Sequence, residues 1–275
     1  MIMDSFQVTD RLAREIGKTP EGRVWLRELP DLVDEAARHF GLESIKVIQP
    51  GGHTAFVAEG LRDGELVVLK IPGLDNSGEK ALLRAGSRLL PRLIDEHEGA
   101  CLLEHIQGKA FQQLDDVSIR MSAAEIIDGL DQLPEIDAPR IETQVDPLLD
   151  GYPEQLQIIV ALTDNPAGNE EVMLHGDLHE ENLFMTDDGV KALDPKPMRG
   201  HREYDLEPLF RRYADRGDSA AASQLLAMLK LQGIDPQRLR ACCLRFGVHY
   251  HQLSTTQERR RLWERRIAFW LNGVD

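Results

Sequence analysis

The sequence has little that favours a secreted, membrane or nucleic-acid-binding protein. It has three cysteines in 275 residues, an odd number without C-x-x-C spacing, so neither a disulfide framework nor a zinc site is indicated. No apolar run approaches the roughly 20 residues needed to span a bilayer, and charges interrupt the N-terminal residues, unlike a signal peptide. The formal net charge of −15 argues against broad nucleic-acid binding. We therefore expect a cytoplasmic protein without a nucleic-acid or membrane partner.

The acidity is uneven along the chain. Residues 121–188 contain 17 Asp or Glu and a single basic residue, Arg140. A strongly acidic segment beside a cleft would attract cationic ligands. An acidic surface that only keeps the protein in solution has the same composition, so both interpretations stay open.

The first half of the sequence predicts leading helices followed by a small sheet. Apolar residues recur at helical spacing through the first 40 residues, and Gly41 ends the run. Short β-rich segments follow at 44–48, 54–59 and 66–71, separated by turn signals at 50–52 and 63–64. They predict a three-stranded antiparallel meander. Asn76 with Glu79 three residues later has the capping-box pattern that begins a helix.

Two more strands and a helical remainder define the fold class. Segments 93–94 and 100–106 complete a five-stranded sheet, after which the chain is mainly helical. The helical candidates are 121–133, 153–162, 205–229, 236–253 and 257–271. The order predicts an α+β, protein-kinase-like bilobal fold: a small antiparallel five-stranded N-lobe and a larger, mainly helical C-lobe. We expect residues 1–103 to bind nucleotide, 104–108 to form a hinge, and 109–275 to carry the catalytic and acceptor sites.

The segment His175-Gly176-Asp177-Leu178-His179-Glu180-Glu181-Asn182 carries the most chemical information. Asp177 is followed five residues later by Asn182, the spacing of a kinase catalytic loop. Asp194 ends a short β-like segment twelve residues beyond Asn182, where a carboxylate suits Mg²⁺. An Asp after Gly can simply cap a helix. The three residues at these spacings favour catalysis instead.

Two histidines in the same segment raise the question of a metal site. His175 and His179 stand four residues apart, which would suit a metal pair on a helix. In this motif we expect them to brace the loop through hydrogen bonds, and we assign no zinc to them.

A lysine in the third predicted strand suggests how a nucleotide is held. Lys70 ends the segment Val67-Val68-Leu69-Lys70, which matches the kinase strand whose lysine contacts the α- and β-phosphates. We expect Glu79, on the following helix, to pair with it. Glu79 could also cap its helix, and the two roles are compatible.

Two further segments are candidates for nucleotide contacts. Backbone amides of Gly52, His53 and Thr54 could cradle phosphate, although the segment does not match the G-x-G-x-x-G loop of protein kinases. The predicted hinge would read the adenine edge through backbone groups of Glu104 and Ile106. An ordinary turn and an ordinary edge strand are the competing interpretations.

These motifs resemble a known family. The pattern H-G-D-L-H-x-x-N is similar to the catalytic motif of the aminoglycoside phosphotransferase and choline kinase superfamily, which has the protein-kinase-like fold. The segment 192–196, with Gly200 and 203–205, resembles the aminoglycoside/hydroxyurea phosphotransferase family, a branch that includes streptomycin 6-kinases. The likeness extends from about Trp25 to Phe210. It implies that Asp177 is the catalytic base or orients the acceptor hydroxyl.

The resemblance also implies a reaction. Asn182 and Asp194 would hold Mg²⁺, and the γ-phosphate of ATP (or GTP) would pass to a hydroxyl of a small molecule. A cationic polyhydroxylated acceptor, an aminoglycoside such as streptomycin, is the first expectation. A metabolite kinase for a sugar, fructosamine or amino alcohol is the alternative, and a non-catalytic nucleotide-binding module is an alternative of another class. Lys196 and Arg199 could neutralise the transferred phosphate or lie on the surface.

Overall fold

The computed structural model describes residues 8–49, 51–73, 77–163 and 171–274. The chain divides into two compact units. The first unit consists of the residues up to Gly86 and of Leu90–Gln107. The second consists of Ser87–Leu89 and of the residues from Gly108 onward. The predicted cap Asn76 and the turn residue Pro50 lie outside the described residues.

Two helices open the first unit, as the sequence predicts. Helix α1 spans Asp10–Ile16 and helix α2 spans Pro20–Phe40. The Thr19 hydroxyl accepts a hydrogen bond from the Gly22 amide and caps α2, and Pro20 occupies the first turn, where its missing N–H costs nothing. Gly41 ends α2 in the left-handed conformation, at φ 67°.

An antiparallel sheet follows, and it confirms the predicted meander. The five strands lie in the order β1-β2-β3-β5-β4. Their bounds are β1 Ser44–Val47, β2 Ala55–Arg62, β3 Glu65–Pro72, β4 Leu93–His97 and β5 Ala100–Glu104. Helix α3, Ser77–Ala85, lies between β3 and β4 in the chain.

The first unit has its own apolar core. The buried face of α2 contributes Leu29, Val33 and Phe40, which cluster with sheet residues such as Leu69 and Leu102. Burying aliphatic and aromatic side chains of this size gives roughly 1.5–3 kcal/mol each relative to exposure. This packing fixes β3, the strand that carries Lys70.

The second unit is mainly helical. Its helices are α4 Asp116–Met121, α5 Ala123–Asp131, α6 Glu154–Val160, α7 Glu203–Arg216, α8 Ser219–Leu231, α9 Pro236–Leu253 and α10 Gln257–Leu271. The ranges of α9 and α10 match the prediction. One predicted helix is wrong, since 205–229 is two helices. Gly217 ends α7 at φ 66°, and the Asp218 carboxylate caps α8 through the Ala221 amide.

Short strands in the second unit border the predicted catalytic loop. They are β6 Lys109–Ala110, β7 Val172–Leu174, β8 Leu183–Thr186, β9 Gly189–Ala192 and β10 Met198–Gly200. Strands β8 and β9 form a hairpin joined by β6, and β7 pairs with β10. The sequence analysis did not find β6 or β10, since two or three residues are too few for a periodic pattern.

Within the described ranges, no helix combines the length and the apolar character that a bilayer crossing requires.

Candidate active site

The predicted catalytic loop connects β7 to β8, and its own backbone bonds shape it. The His179 amide donates to the Asp177 carbonyl at 3.0 Å, and the Asn182 amide donates to the His179 carbonyl at 2.8 Å. The Asn182 side-chain nitrogen also donates to the Asp177 carbonyl, at 2.9 Å. The five-residue spacing therefore closes a compact loop with Asp177 at its start and Asn182 at its end.

Gly176 is required by the geometry of this loop. Its φ of 80° is in the left-handed region, and a Cβ there would lie 1.9 Å from the Lys196 carbonyl oxygen. Residues with a Cβ rarely adopt this φ, and none tolerates a contact that short, so glycine is required here. The Lys196 amide in turn donates to the His175 carbonyl at 2.7 Å. The segment after Asp194 is thus tied directly to the start of the loop.

A buried carboxylate from α7 holds the same end of the loop. Asp205 accepts the His175 amide at 2.7 Å and the Gly176 amide at 2.8 Å, one on each oxygen. Burial raises the pKa of Asp205 to about 7, although both amide hydrogen bonds act in the opposite direction. Asp205 therefore contributes two fixed acceptors to a loop whose amides would otherwise be unsatisfied.

Asp177 is partly exposed and faces a cation. The side chain is 27% exposed, and one of its oxygens accepts the Lys196 ammonium at 2.6 Å. Burial lowers the pKa of Lys196, but the charge and hydrogen bond of Asp177 prevail and raise it above its ordinary value. The Lys196 ammonium thus contacts Asp177 while its side chain is 53% exposed, and its action on the transferred phosphate stays a prediction.

Asn182 and Asp194 come together at the open end of the β8–β9 hairpin. Leu183 pairs with Ala192, and the Leu193 amide donates to the Asn182 carbonyl at 2.8 Å. Asp194 has a φ of 60°, a conformation that costs a non-glycine residue about 1 kcal/mol or more. Such strain at a carboxylate is typical of functional sites. The structure thus brings Asp177, Asn182 and Asp194 into one region.

The donor set there fits Mg²⁺. The Asn182 nitrogen is engaged by the loop, which leaves its carboxamide oxygen as the atom that could bind a metal. Few protein oxygens, completed by phosphate and water, suit Mg²⁺. Among the described residues, no group of three or more His, Cys, Asp or Glu could hold a metal by itself.

The two histidines contact the loop backbone, as predicted. The His175 Nδ1 accepts the Asp177 amide, and the His179 Nδ1 accepts the Glu181 amide, each at 3.3 Å. His175 is fully buried, and burial lowers its pKa to about 4, against the charges of Asp177 and Asp194. Its ring is therefore neutral at pH 7.

A second candidate group lies in the first unit. Lys70 and Glu79, both less than a tenth exposed, form the predicted ion pair between β3 and α3. Lys70 sits inside the sheet, paired in register with Val57 on one side and Cys101 on the other. A buried ammonium keeps its charge only beside a partner of this kind.

The other predicted nucleotide contacts are positioned less completely. A Cβ added at Gly52 would lie 2.8 Å from the Ala55 carbonyl oxygen. The side chains of His53 and Thr54 are exposed. The Glu104 amide donates to the Arg92 carbonyl at 3.0 Å. The Glu104 N–H is therefore already bonded within the first unit. Its carbonyl and the backbone of Ile106 stay predictions.

Sequence reasoning missed two residues that shape the second unit's site. The sequence predicted only that Asp205 begins a helix and belongs to the family-like segment 203–205, and it gave the carboxylate no role. Glu125, on α5, accepts the Val190 amide at 2.7 Å and so anchors the β8–β9 hairpin. Both act across 29 or more positions of sequence, so no local spacing signals them.

Part of the acidic segment 121–188 is already paired with cations. Its carboxylates pair with cations from elsewhere in the second unit. The pairs are Asp128–Arg88, Asp131–Arg202, Glu135–Arg199, Glu171–Arg140, Glu180–Arg212 and Asp177–Lys196. The composition alone therefore overstates the negative charge available to a cationic ligand.

One protein-family model matches part of the chain. The family model described as aminoglycoside/hydroxyurea antibiotic resistance kinase matches residues 151–258, which include the catalytic loop, Asp194 and Asp205. No curated protein gives a significant match.

Solved structures share the fold over most of the chain. A thermostable mutant of aminoglycoside phosphotransferase APH(4)-Ia, in ternary complex with AMP-PNP and hygromycin B, is 16% identical with a TM-score of 0.62. That match covers 87% of this chain and 98% of the other. Choline kinase LicA from Streptococcus pneumoniae is 14% identical with a TM-score of 0.58, covering 88% and 99%. Macrolide 2'-phosphotransferase MphH from Brachybacterium faecium is 17% identical with a TM-score of 0.51, covering 89% and 99%.

The fold is that of the protein-kinase-like small-molecule phosphotransferases, which confirms the predicted α+β class. The family model that matches residues 151–258 describes the same family that the motifs resemble.

Proposed function

We propose that the chain is an ATP-dependent kinase that transfers the γ-phosphate to a hydroxyl of a small polyhydroxylated molecule, with an aminoglycoside such as streptomycin as first candidate. The observation that carries the proposal is the grouping of Asp177, Asn182 and Asp194 around one loop. In this proposal residues 1–103 bind the nucleotide, 104–108 are a hinge, and 109–275 catalyse the reaction.

Each residue has a role that suits its chemistry. Lys70, fixed by Glu79, would contact the α- and β-phosphates, and the amides of Gly52, His53 and Thr54 would add donors. Asn182 and Asp194 would hold Mg²⁺ through oxygen. Bound there, Mg²⁺ would neutralise charge on the phosphates and orient them. The Glu104 carbonyl and Ile106 would contact the base.

Asp177 would act on the acceptor. Its carboxylate would accept or orient the proton of the attacking hydroxyl as the new oxygen–phosphorus bond forms and the bond to the leaving nucleoside diphosphate breaks. Phosphoryl transfer needs little covalent chemistry from the protein, so positioning supplies most of the rate. Lys196, on the same carboxylate, keeps Asp177 oriented in the absence of acceptor.

The acceptor class rests on the family match more than on charge. The APH(4)-Ia complex contains hygromycin B, and the family is described by aminoglycosides and hydroxyurea. Part of the acidic segment is paired within the chain, which weakens the argument that bulk charge attracts a cationic acceptor. A sugar, fructosamine or amino alcohol as acceptor is therefore tested alongside.

A screen for phosphate transfer tests the proposal. The protein is incubated with ATP and Mg²⁺ and with streptomycin, hygromycin B, hydroxyurea, choline, sugars or amino alcohols. ATP consumption and product mass are then measured. We expect one class to gain a phosphoryl group, and EDTA to stop the reaction. Nucleotide binding without product formation for any class would contradict the proposal and favour a nucleotide-binding module.

A further inference from the structure

A stack of aromatic rings on α9 and α10 holds one tyrosine rigidly. The ring of Tyr250 stacks on Phe246, with centroids 5.8 Å apart and planes 12° apart, and on Trp263, at 5.0 Å and 19°. The Arg211 guanidinium lies 5.8 Å from the Tyr250 centroid and 5.4 Å from that of Trp263. Two hydrogen bonds from its Nε and a third from Nη2 fix Arg211 on the buried carboxylate of Glu207.

The hydroxyl of this tyrosine is available, unlike those of its neighbours. Tyr204 and Tyr213 bury their hydroxyl oxygens, and the Tyr152 hydroxyl bonds to His251 at 2.7 Å. Tyr250 is only partly buried. Its hydroxyl forms no hydrogen bond with any residue in the described ranges and is not among the buried polar atoms.

Tyr250 also packs against residues that flank the predicted catalytic loop. The buried cluster beneath it contains Leu174, the residue before the loop, and Met198, two residues after Lys196, packs against the same cluster. Burial raises the pKa of Tyr250, and the charges of Asp177 and Lys196 both act on it. The shared cluster places Tyr250 in the same part of the second unit as the start of the loop, and the charges that act on its phenol agree with this.

We propose that Tyr250 determines acceptor specificity by hydrogen-bonding a hydroxyl or amino group of the acceptor bound beside Asp177. This rests on the proposed phosphotransfer function. Two aromatic rings and the Arg211 guanidinium already contact the Tyr250 ring, so its hydroxyl is the group available to bind the acceptor. A quaternary ammonium, which depends on an open aromatic face, gains nothing from this ring. The site thus favours hydroxyl- and amino-rich acceptors over choline-type ones.

The test measures binding separately from turnover. Affinities of streptomycin, hygromycin B and choline are measured by calorimetry in the presence of AMP-PNP and Mg²⁺, for wild type, Tyr250→Phe and Tyr213→Phe. Removing a hydrogen bond between neutral groups lowers affinity by roughly 3- to 10-fold. We expect that loss for an aminoglycoside with Tyr250→Phe alone. Tyr213→Phe is the matched control, because its buried hydroxyl has no partner among the described residues.

Kinetics separate a binding role from a structural one. For the compound that the enzyme phosphorylates, Tyr250→Phe should raise the KM by the same roughly 3- to 10-fold as the affinity loss. The KM for ATP, the acceptor-independent ATP hydrolysis and the Tm should stay at wild-type values. Acceptor affinity within twofold of wild type in Tyr250→Phe would overturn the proposal, as would failure of the wild type to bind any of the three compounds. Binding without phosphate transfer would overturn the proposed function and leave the role of Tyr250 standing.

Discussion

At the scale of single residues, the catalytic loop depends on positions that do no chemistry themselves. Gly176 lets the chain pass against the Lys196 carbonyl, and Asp205 accepts the amides of His175 and Gly176. The orientation of Asp177 follows from these contacts. Substitutions there should therefore affect both the stability of the fold and the activity.

Replacing Gly176 with alanine tests this directly. Both Gly176 and Gly217 have positive φ, but a Cβ at Gly217 would meet nothing within 4 Å. Gly217→Ala should cost about 1 kcal/mol from backbone strain alone. Gly176→Ala should cost about 2 kcal/mol more, because the Lys196 carbonyl must move. Urea unfolding measures both, and equal losses in the two variants would contradict the steric argument.

His175 makes stability depend on pH. Its pKa is about 4 in the folded protein, below the ordinary histidine value of 6.5, because burial disfavours the charged ring. Between those values the unfolded chain binds more protons, so this contribution to the free energy of unfolding falls as pH falls. The full loss is about 3 kcal/mol.

A variant without the imidazole isolates that contribution. His175→Gln cannot titrate, so its free energy of unfolding relative to wild type should improve by up to about 3 kcal/mol between pH 7 and pH 4. Denaturant unfolding at several pH values measures the difference. A difference that stays constant across this range would show that His175 is not held neutral.

At the scale of elements, strand β3 and helix α3 are joined by a buried ion pair. Lys70 and Glu79 are each less than a tenth exposed. Breaking a buried ion pair by removing one partner typically costs about 3–5 kcal/mol. The pair therefore fixes the Lys70 ammonium in the sheet.

Lys70→Ala should accordingly destabilise the protein by about 3 kcal/mol or more. Lys230→Ala, on the exposed surface of α8, should change stability by less than about 0.5 kcal/mol. Thermal and urea unfolding measure both. If Lys70→Ala also matched wild type in the Mg²⁺-dependent KM for ATP, its proposed contact with the phosphates would be wrong.

Elements with strong local signals were predictable from sequence. The ranges of α9 and α10, the Gly41 end of α2 and the meander of β1 to β3 all follow from periodicity, caps and turns. The break between α7 and α8 was missed because apolar spacing continues through Gly217 and Asp218. Strand β10 was missed because it exists only through its pairing with β7.

At the scale of the whole molecule, the order of a sheet followed by helices indicated the fold before any coordinates. The loop motif and Asp194 were also readable, since their spacing is local. The partners Asp205, Glu125 and Tyr250 were not, because tertiary packing brings them to the loop from distant segments. In our proposal a distant residue, Tyr250, also contacts the acceptor, and local sequence spacing does not signal such a contact.

The central claim is that Asp177 acts on the acceptor hydroxyl, and one substitution tests it most directly. Asp177→Asn keeps the size of the side chain but removes its charge, and a barrier increase of about 4 kcal/mol corresponds to about 10³-fold in rate. Asp188→Asn, at an exposed position after β8, is the control.

The measurement is kcat for phosphate transfer to the acceptor identified in the screen, with Tm recorded for each variant. We expect Asp177→Asn to lower kcat by about 10³-fold with nucleotide binding retained, and Asp188→Asn to behave as wild type. A kcat for Asp177→Asn within tenfold of wild type would contradict the account.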